Sequence, residues 1–319
     1  MTKANPSPSL SAIVRPMPEN DFMGYYLRKE FCHISGNRGR FASLLPWDVL
    51  NRILHEHRLD YPRLRLIRNG ETLPPLSYID YQTDRRGTRF ARVRPDGLMR
   101  ELDNGAMLHF AAIDEAHYPI ELVAATLAER LKAKITVNIC AGVQDSRGFA
   151  THWDGHDVLV MQIHGRKYWR VYGITQPNPL RIGVGMDAAP TTDKPSTPTW
   201  EGMVEEGDVL YLPRGCWHSA QGTDGATLHL TVGIINPTGI DFLNWLATEL
   251  VANDAFRMDL PELHSSDIKE QHATTLRNAL ATACTVEAME RFVAHTHQAN
   301  SLSPPINLIH AKQPQPNTP

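Results

Sequence analysis

Short apolar runs separated by turn residues fill the middle of the chain, between residues 134 and 235. Runs of four to eight apolar residues bounded by Gly, Pro and Asp, without helical periodicity between them, are typical of antiparallel strands. They predict strands at 134–141, 151–163, 167–173, 200–204, 208–213, 216–221 and 226–235. Short strands in succession favour a closed or sandwiched barrel. The proline-rich stretch 177–200 predicts an irregular insertion within that barrel.

Helical periodicity flanks the predicted strands on both sides. Upstream, the spacing predicts helices within 21–31, after Pro46, and over 119–132. Downstream of Pro237 an apolar stripe returns, formed by Leu243, Leu246, Leu250, Leu276, Leu280, Met289 and Phe292. The pattern predicts five regions: a disordered tail at 1–20, an α/β region packing on the barrel at 21–133, the barrel core at 134–236, a helical region at 237–300, and a second disordered tail at 301–319.

Composition narrows the class of protein. The formal net charge is −3, whereas a dedicated nucleic-acid binder needs a basic excess, so we expect no nucleic-acid partner. No run approaches the roughly 20 apolar residues that span a bilayer, so we expect no membrane association. The four cysteines are scattered and form no C-x-x-C pair, which is typical of free thiols in a reducing compartment. We therefore expect a cytoplasmic protein.

A candidate metal site combines the His152-Trp153-Asp154 segment with a histidine far along the chain. Residues two apart on a strand point to the same face, so His152 and Asp154 can reach one metal ion. The segment 207–218 opens with a Gly-Asp turn and ends with a Pro-Arg-Gly turn before His218, which can supply a third ligand. Two imidazoles and one carboxylate with open positions are the ligand set of non-haem Fe(II) oxygenases.

The same histidines can also have a purely structural role. An isolated His-x-Asp tripeptide is common, so His152 and His218 can be ordinary barrel histidines with hydrogen-bonded nitrogens. His156 and Asp157 are rival ligands close by, and His156 has the same strand parity as His152.

Lys167 is a second candidate binding residue. In its predicted strand it shares a face with Trp169 and Val171, whereas the flanking Arg166 and Arg170 point the other way. A lysine on the apolar face is costly unless an anion meets it. Either the two faces are assigned in reverse, or Lys167 pairs with an internal acid, or it binds a carboxylate of a small cosubstrate near the metal. We favour the third interpretation, because the strand begins just after the proposed metal strand.

With these motifs in hand, the chain resembles the JmjC-type 2-oxoglutarate oxygenases of the cupin superfamily, and most of all their ribosomal-oxygenase group. The resemblance rests on the stretch from His152 to Trp169 and on segment 207–218. It extends weakly upstream into 22–66 and altogether covers roughly 20–255. It implies a mainly β fold with flanking helices around a double-stranded β-helix, the jelly-roll or cupin core.

The resemblance also implies a cofactor and residue roles. It implies that His152, Asp154 and His218 bind Fe(II) as catalytic metal ligands, and that 2-oxoglutarate is the cosubstrate. It implies that Lys167 binds the distal carboxylate of 2-oxoglutarate. Asn138 and Thr231 match positions that line the same pocket, and strand alternation places Asn138 with Thr136 and Cys140, and Thr231 with His229.

The expected function is that of a 2-oxoglutarate-dependent dioxygenase, which uses O2 to hydroxylate a side chain of a protein or peptide. Demethylation, hydroxylation of a small natural product, and a non-catalytic cupin that binds a metal or ligand stay open as alternatives. A homodimer through 237–300 is expected, because its apolar stripe exceeds what one barrel flank can cover. About eighty residues follow the barrel. They leave no room for the winged-helix domain of relatives that modify ribosomal proteins, so a ribosomal substrate is not carried over.

Overall fold

The computed structural model describes residues 8–180, 194–262 and 264–299. The chain divides into two compact units, Met1–Asn236 and Pro237–Pro319. The first unit is built on a nine-stranded sheet in which every pairing is antiparallel. The described part of the second unit is helical.

Among the described residues, the strands of the first unit follow one another along the chain in eleven segments. They are β1 (Cys32–Ile34), β2 (Leu64–Arg68), β3 (Glu71–Thr72), β4 (Ile79–Thr83), β5 (Arg89–Val93), β6 (Met107–Phe110), β7 (Lys134–Gly142), β8 (Asp157–Ile174), β9 (Trp200–Val204), β10 (Val209–Leu212) and β11 (Cys216–Ile235). The order in the main sheet is β1-β10-β8-β11-β7-β6-β2-β3, with β9 on β8, while β4 and β5 form a separate hairpin.

Two long strands replace four of the predicted short ones. The predictions at 151–163 and 167–173 merge into β8, which begins only at Asp157, and those at 216–221 and 226–235 merge into β11. The break predicted near Gly165 does not end the strand. Gly165 has φ +63°, and a Cβ there would lie 2.2 Å from the carbonyl oxygen of Ala226, so this glycine permits a close approach between the two long strands.

Strand alternation separates an apolar layer from a cavity wall. On β7 and β11, Val137, Ile139, Leu230 and Val232 enter the large hydrophobic core. The intervening residues, among them Asn138 and Thr231, line a cavity on the other face. This is the two-residue period expected of a sheet that is buried on both faces.

The predicted boundary at residue 134 is wrong. Four strands upstream of it belong to the main sheet, because β1 pairs with β10 and β6 pairs with β7, while β2 and β3 follow on β6. These strands have two to five residues each. Segments so short show too few alternations to be recognised as strands from sequence. The region 21–133 therefore extends the sheet, in addition to supplying helices.

The predicted disordered tail at 1–20 is wrong for its second half. Ser9 caps helix α1 (Leu10–Val14), with its Oγ accepting from the Ala12 N–H at 3.3 Å. Leu10, Ile13 and Val14 lie on one helix face and are at most 1% exposed. The spacing i, i+3, i+4 explains this burial. The predicted tail at 301–319 lies outside the described residues.

The helices predicted after Pro46, over 119–132 and downstream of Pro237 are present, whereas the helix over Pro95–Asp103 is not among the predicted ones, and the structure differs from the prediction near residue 22. There the short α2 (Glu19–Asp21) continues as a π-helical turn, Phe22–Tyr26, and the chain then enters β1. The other helices are α3 (Trp47–Glu56), α4 (Pro95–Asp103), α5 (Tyr118–Leu131), α6 (Gly239–Leu250), α7 (Ser266–Ala283) and α8 (Val286–Ala299). Among the described residues, no helix has the length and apolar character needed to cross a membrane.

Candidate metal centre and its cavity

The three residues singled out as metal ligands come together in the structure. One ligand atom each from His152, Asp154 and His218 lies within 4.8 Å of the other two. His218 Nε2 is 3.6 Å from Asp154 Oδ2, and the two imidazole ring centroids are 4.4 Å apart. This donor set of two imidazoles and one carboxylate fits Fe(II).

His152 and Asp154 lie in a loop rather than in the strand predicted at 151–163, whereas His218 lies in β11 as predicted. Both loop residues precede β8. His152 forms an isolated antiparallel bridge with His218, near the beginning of β11. The His152 and His218 main chains exchange hydrogen bonds of 3.0 and 2.8 Å, and Gly215 N–H donates to the Asp154 carbonyl at 2.8 Å. This local pairing brings the two histidines side by side.

Backbone carbonyls set the tautomer of both histidines. His152 Nδ1 lies 2.8 Å from the Ala150 carbonyl oxygen, and His218 Nδ1 lies 2.9 Å from the Cys216 carbonyl oxygen. A carbonyl oxygen only accepts, so Nδ1 carries the proton in each ring. The lone pair is therefore on Nε2, as in metal-binding histidines oriented by a carbonyl.

Burial keeps the second histidine neutral. Burial, followed by the neighbouring His152 ring, lowers the pKa of His218 to about 4. A metal ligand must be an unprotonated imidazole, so this pKa favours binding at neutral pH.

Neither rival ligand joins the cluster. His156 lines the same cavity, yet it is not one of the three grouped ligands. Asp157 is occupied by structural contacts, because its Oδ1 accepts from the Arg214 N–H at 2.9 Å and its Oδ2 from Asn236 Nδ2 at 3.4 Å.

A cavity of about 360 Å³ adjoins the three ligands, and Lys167 lies in its wall. The predicted inward face is confirmed, since Lys167 is only 1% exposed. Its Nζ is 3.8 Å from Met107 Sδ, a weak acceptor. Within the described chain, no carboxylate lies within ion-pair distance of this ammonium group, so the predicted alternative of an internal acid is not realised. Burial lowers the pKa of Lys167.

Two more buried ring nitrogens near Lys167 have no partner among the described residues. They are His229 Nδ1 and Trp169 Nε1, on side chains that are 3% and 4% exposed. Buried polar groups without partners are rare in native proteins, so such groups around a cavity indicate a polar ligand. An ammonium beside two unpaired ring nitrogens fits a carboxylate, and a dicarboxylic keto acid has one at each end.

Asn138 and Thr231 lie directly opposite each other on β7 and β11, and both line the cavity. Asn138 Oδ1 accepts from the Ala112 N–H at 3.0 Å, so the amide NH2 is the part of the side chain that remains to donate.

Sequence reasoning missed the part of the cavity wall that comes from upstream strands. Arg65 on β2, Met107 and His109 on β6, and Phe149 in the loop after β7 all line the cavity. The sequence carries only a weak signal for two of these residues, because their strands are too short to be recognised by alternation alone. Polar residues at alternate positions of two short apolar runs, Arg65 between Leu64 and Leu66 and His109 between Leu108 and Phe110, are typical of strands with one wet face.

Comparison with known proteins gives the class. Residues 116–242 match the family model described as the JmjC domain. That range contains the three grouped ligands, Lys167, and both long strands. This range of the chain therefore matches a JmjC domain, and the predicted fold class, mainly β with flanking helices, is confirmed.

Several similar proteins have names that state an activity. "Ribosomal oxygenase 1" of Bos taurus is 32% identical over 271 residues, covering 82% of this chain and 39% of the relative. "Bifunctional lysine-specific demethylase and histidyl-hydroxylase NO66" of Drosophila grimshawi is 24% identical over 232 residues, covering 70% of this chain and 30% of the relative. The chain thus spans well under half the length of these two curated relatives.

Among solved structures, the Escherichia coli ribosomal oxygenase YcfD in complex with cobalt and 2-oxoglutarate matches with a TM-score of 0.58 at 19% identity. The match covers 87% of this chain and 70% of that one. At this level of identity, the likeness establishes a shared fold.

Lys167 generates a test of stability. Replacing it with Met keeps the length of the side chain and removes a buried charge, so Lys167→Met should stabilise the ligand-free protein by about 1–2 kcal/mol in chemical denaturation. A lysine with a lowered folded pKa binds fewer protons folded than unfolded, so wild-type stability should rise with pH from that lowered pKa towards 10.5. The variant should lack this rise.

Arg166→Met is the matched control, because Arg166 lies next to Lys167 on β8 but is exposed and paired with Asp224. An exposed pair is worth little, so the control should remain close to wild type. A Lys167→Met protein clearly less stable than wild type would mean that the ammonium has a stabilising internal partner.

Proposed function

We propose that this protein is an Fe(II)- and 2-oxoglutarate-dependent oxygenase that hydroxylates a side chain of a protein or peptide substrate. The observation that carries the proposal is the presence, in one cavity, of a grouped His-Asp-His ligand set and a buried lysine without an anion. A ligand set alone would suit many metals. The unpaired ammonium adds a requirement for a carboxylate, which a keto-acid cosubstrate meets.

Each proposed site residue has one task. His152, Asp154 and His218 would hold the iron from one side and leave positions open for ligands. Lys167 would bind the distal carboxylate of 2-oxoglutarate through a charge-assisted hydrogen bond. Asn138 and Thr231 would complete the wall of that pocket.

When bound, iron and 2-oxoglutarate supply the oxidation: one atom of O2 goes into succinate with release of carbon dioxide, and the other becomes the new hydroxyl group of the substrate. The chain contributes binding, orientation and exclusion of water. Aromatic rings form much of the wall. The ring centroids of Phe149 and His152 are 5.5 Å apart, and the Trp169 centroid is 5.9 Å from that of His218 and 5.7 Å from that of His229. Such a wall keeps water away from the reacting groups.

A protein substrate is supported by what the relatives are called, ribosomal oxygenase and histidyl-hydroxylase. The same names include lysine demethylase, so demethylation is the second candidate. Mass spectrometry of cell-extract proteins and peptides incubated with the iron-loaded enzyme separates the two. A gain of one oxygen supports hydroxylation, and loss of a methyl group supports demethylation. Absence of succinate formation from 2-oxoglutarate would instead favour a non-catalytic binding cupin.

The metal ligands generate a direct prediction. His152→Ala or His218→Ala should abolish Fe(II)-dependent succinate formation and lower metal affinity, because each removes one of three ligands, while circular dichroism shows an intact fold. His156→Ala is the control for metal binding, since that ring lines the cavity outside the cluster. Wild-type metal affinity in either ligand variant, measured by anaerobic titration, would contradict the assignment.

We also propose a cytoplasmic location and a homodimer formed through 237–300. Three of the four cysteines are buried free thiols, which suits a reducing compartment. In the helical unit, Leu246, Leu250 and Phe292 are buried, whereas Ile240, Leu243, Val286 and Met289 are 45–61% exposed. Apolar side chains exposed together on neighbouring helices support a further contact, and two-fold dimers are the commonest soluble oligomers.

Light scattering at micromolar concentration tests the dimer. The full-length protein should have about twice the monomer mass of 35.8 kDa. Leu243→Glu with Met289→Glu should halve that mass, because charges replace exposed apolar contacts. Leu76→Glu, at a similarly exposed leucine in the first unit, should leave the mass unchanged. A monomer mass for the wild type would overturn the dimer.

A further inference from the structure

Arg65 differs from the arginines beside it. Arg63 lies 3.3 Å from Glu115, and Arg68 lies 3.3 Å from Glu101, so both have carboxylate partners. Within the described chain, Arg65 has none within ion-pair distance. Its Nε, like that of Arg63, is buried without a hydrogen-bond partner. A guanidinium group that is partly removed from water and lacks a carboxylate has donors available for an anion.

The sheet places Arg65 on the wall of the candidate site. Directly opposed residues form one row across four strands, in which Arg65 faces His109, His109 faces Cys140, and Cys140 faces His229. All four line the cavity. The Arg65 guanidinium carbon is 5.9 Å from the centre of the Phe149 ring, which in turn is 5.5 Å from the His152 ring. One aromatic ring thus separates Arg65 from a proposed metal ligand.

Arg65 also orients its neighbour on β6. Arg65 Nη2 donates to His109 Nδ1 at 3.4 Å, so the proton of the neutral His109 ring is on Nε2. This is the opposite tautomer to that of His152 and His218. Burial, followed by the charge of Arg65, lowers the pKa of His109 to about 3 and keeps the ring neutral. His109 is therefore a hydrogen-bond donor at the cavity, and its tautomer is unlike that of the metal-binding rings.

We propose that Arg65 and His109 form a second carboxylate-binding point of the cavity, distinct from Lys167. The inference rests on the proposed function for the identity of the first carboxylate. The guanidinium supplies charge and paired donors, and the imidazole N–H supplies a neutral donor beside it. The carboxylate has two possible sources: an acidic side chain of the substrate, or 2-oxoglutarate itself.

Direct binding to full-length protein separates these sources. The probes are N-acetyl-Ala-Glu-Ala-amide, its Gln counterpart, and 2-oxoglutarate with Fe(II) under anaerobic conditions. If the substrate supplies the carboxylate, wild type binds the Glu peptide more tightly than the Gln peptide. Arg65→Met then weakens Glu-peptide binding roughly ten- to a hundredfold, as expected for a lost charge-assisted contact. If the cosubstrate supplies it, 2-oxoglutarate affinity falls by that factor instead.

Arg68→Met is the matched control, because it removes the same charge from the same strand at a residue that does not line the cavity. It should leave all three affinities unchanged. Arg65→Lys, which keeps the charge but loses the paired donors, should restore part of the affinity, and thermal melting confirms folding. If each of the three probes binds Arg65→Met with the same affinity as it binds wild type, the inference is overturned. Failure of wild type to bind 2-oxoglutarate would instead contradict the proposed function, and the peptide comparison would still test Arg65.

Discussion

Antiparallel pairing of β8 with β11 is the interaction on which both the fold and the candidate site depend. The two strands pair from Asp157 opposite Ile234 to Ile174 opposite Cys216, with register shifts on the way. In one half of this two-stranded ribbon, β8 carries Lys167 and Trp169, and β11 carries His218. In the other half, β11 carries His229 and Thr231. Because both halves contribute to one cavity wall, the ribbon brings residues more than sixty positions apart into one site.

The cavity wall contains polar and charged groups that are costly to bury, and few of them have a partner within the protein. Lys167 is buried without an acid, and Trp169 Nε1 and His229 Nδ1 have no partner among the described residues. A protein selected only for stability would replace such groups with apolar ones. Their presence is best explained by a polar ligand that pairs with them when bound, so that the ligand-free protein gives up stability for affinity.

Much of this arrangement could be predicted from the sequence, because it follows from local spacing. The two-residue period identified the inward face of Lys167 and the shared face of Asn138 and Cys140. The rest depended on long-range pairing. His152 and Asp154 lie in a loop, and their positions come from main-chain bonds to His218 and Gly215. Arg65 and His109 were missed for the same reason, since β2 and β6 become part of the site only through the sheet order.

The affinity of Lys167→Met for 2-oxoglutarate tests the central claim most directly. Anaerobic calorimetry on the Fe(II)-loaded protein should show that this affinity falls roughly ten- to a hundredfold, because a charge-assisted bond is lost. The affinity for Fe(II) should stay at its wild-type value, since Lys167 is not among the grouped metal ligands. An unchanged 2-oxoglutarate affinity would contradict the account, because the buried ammonium would then have no part in binding the cosubstrate.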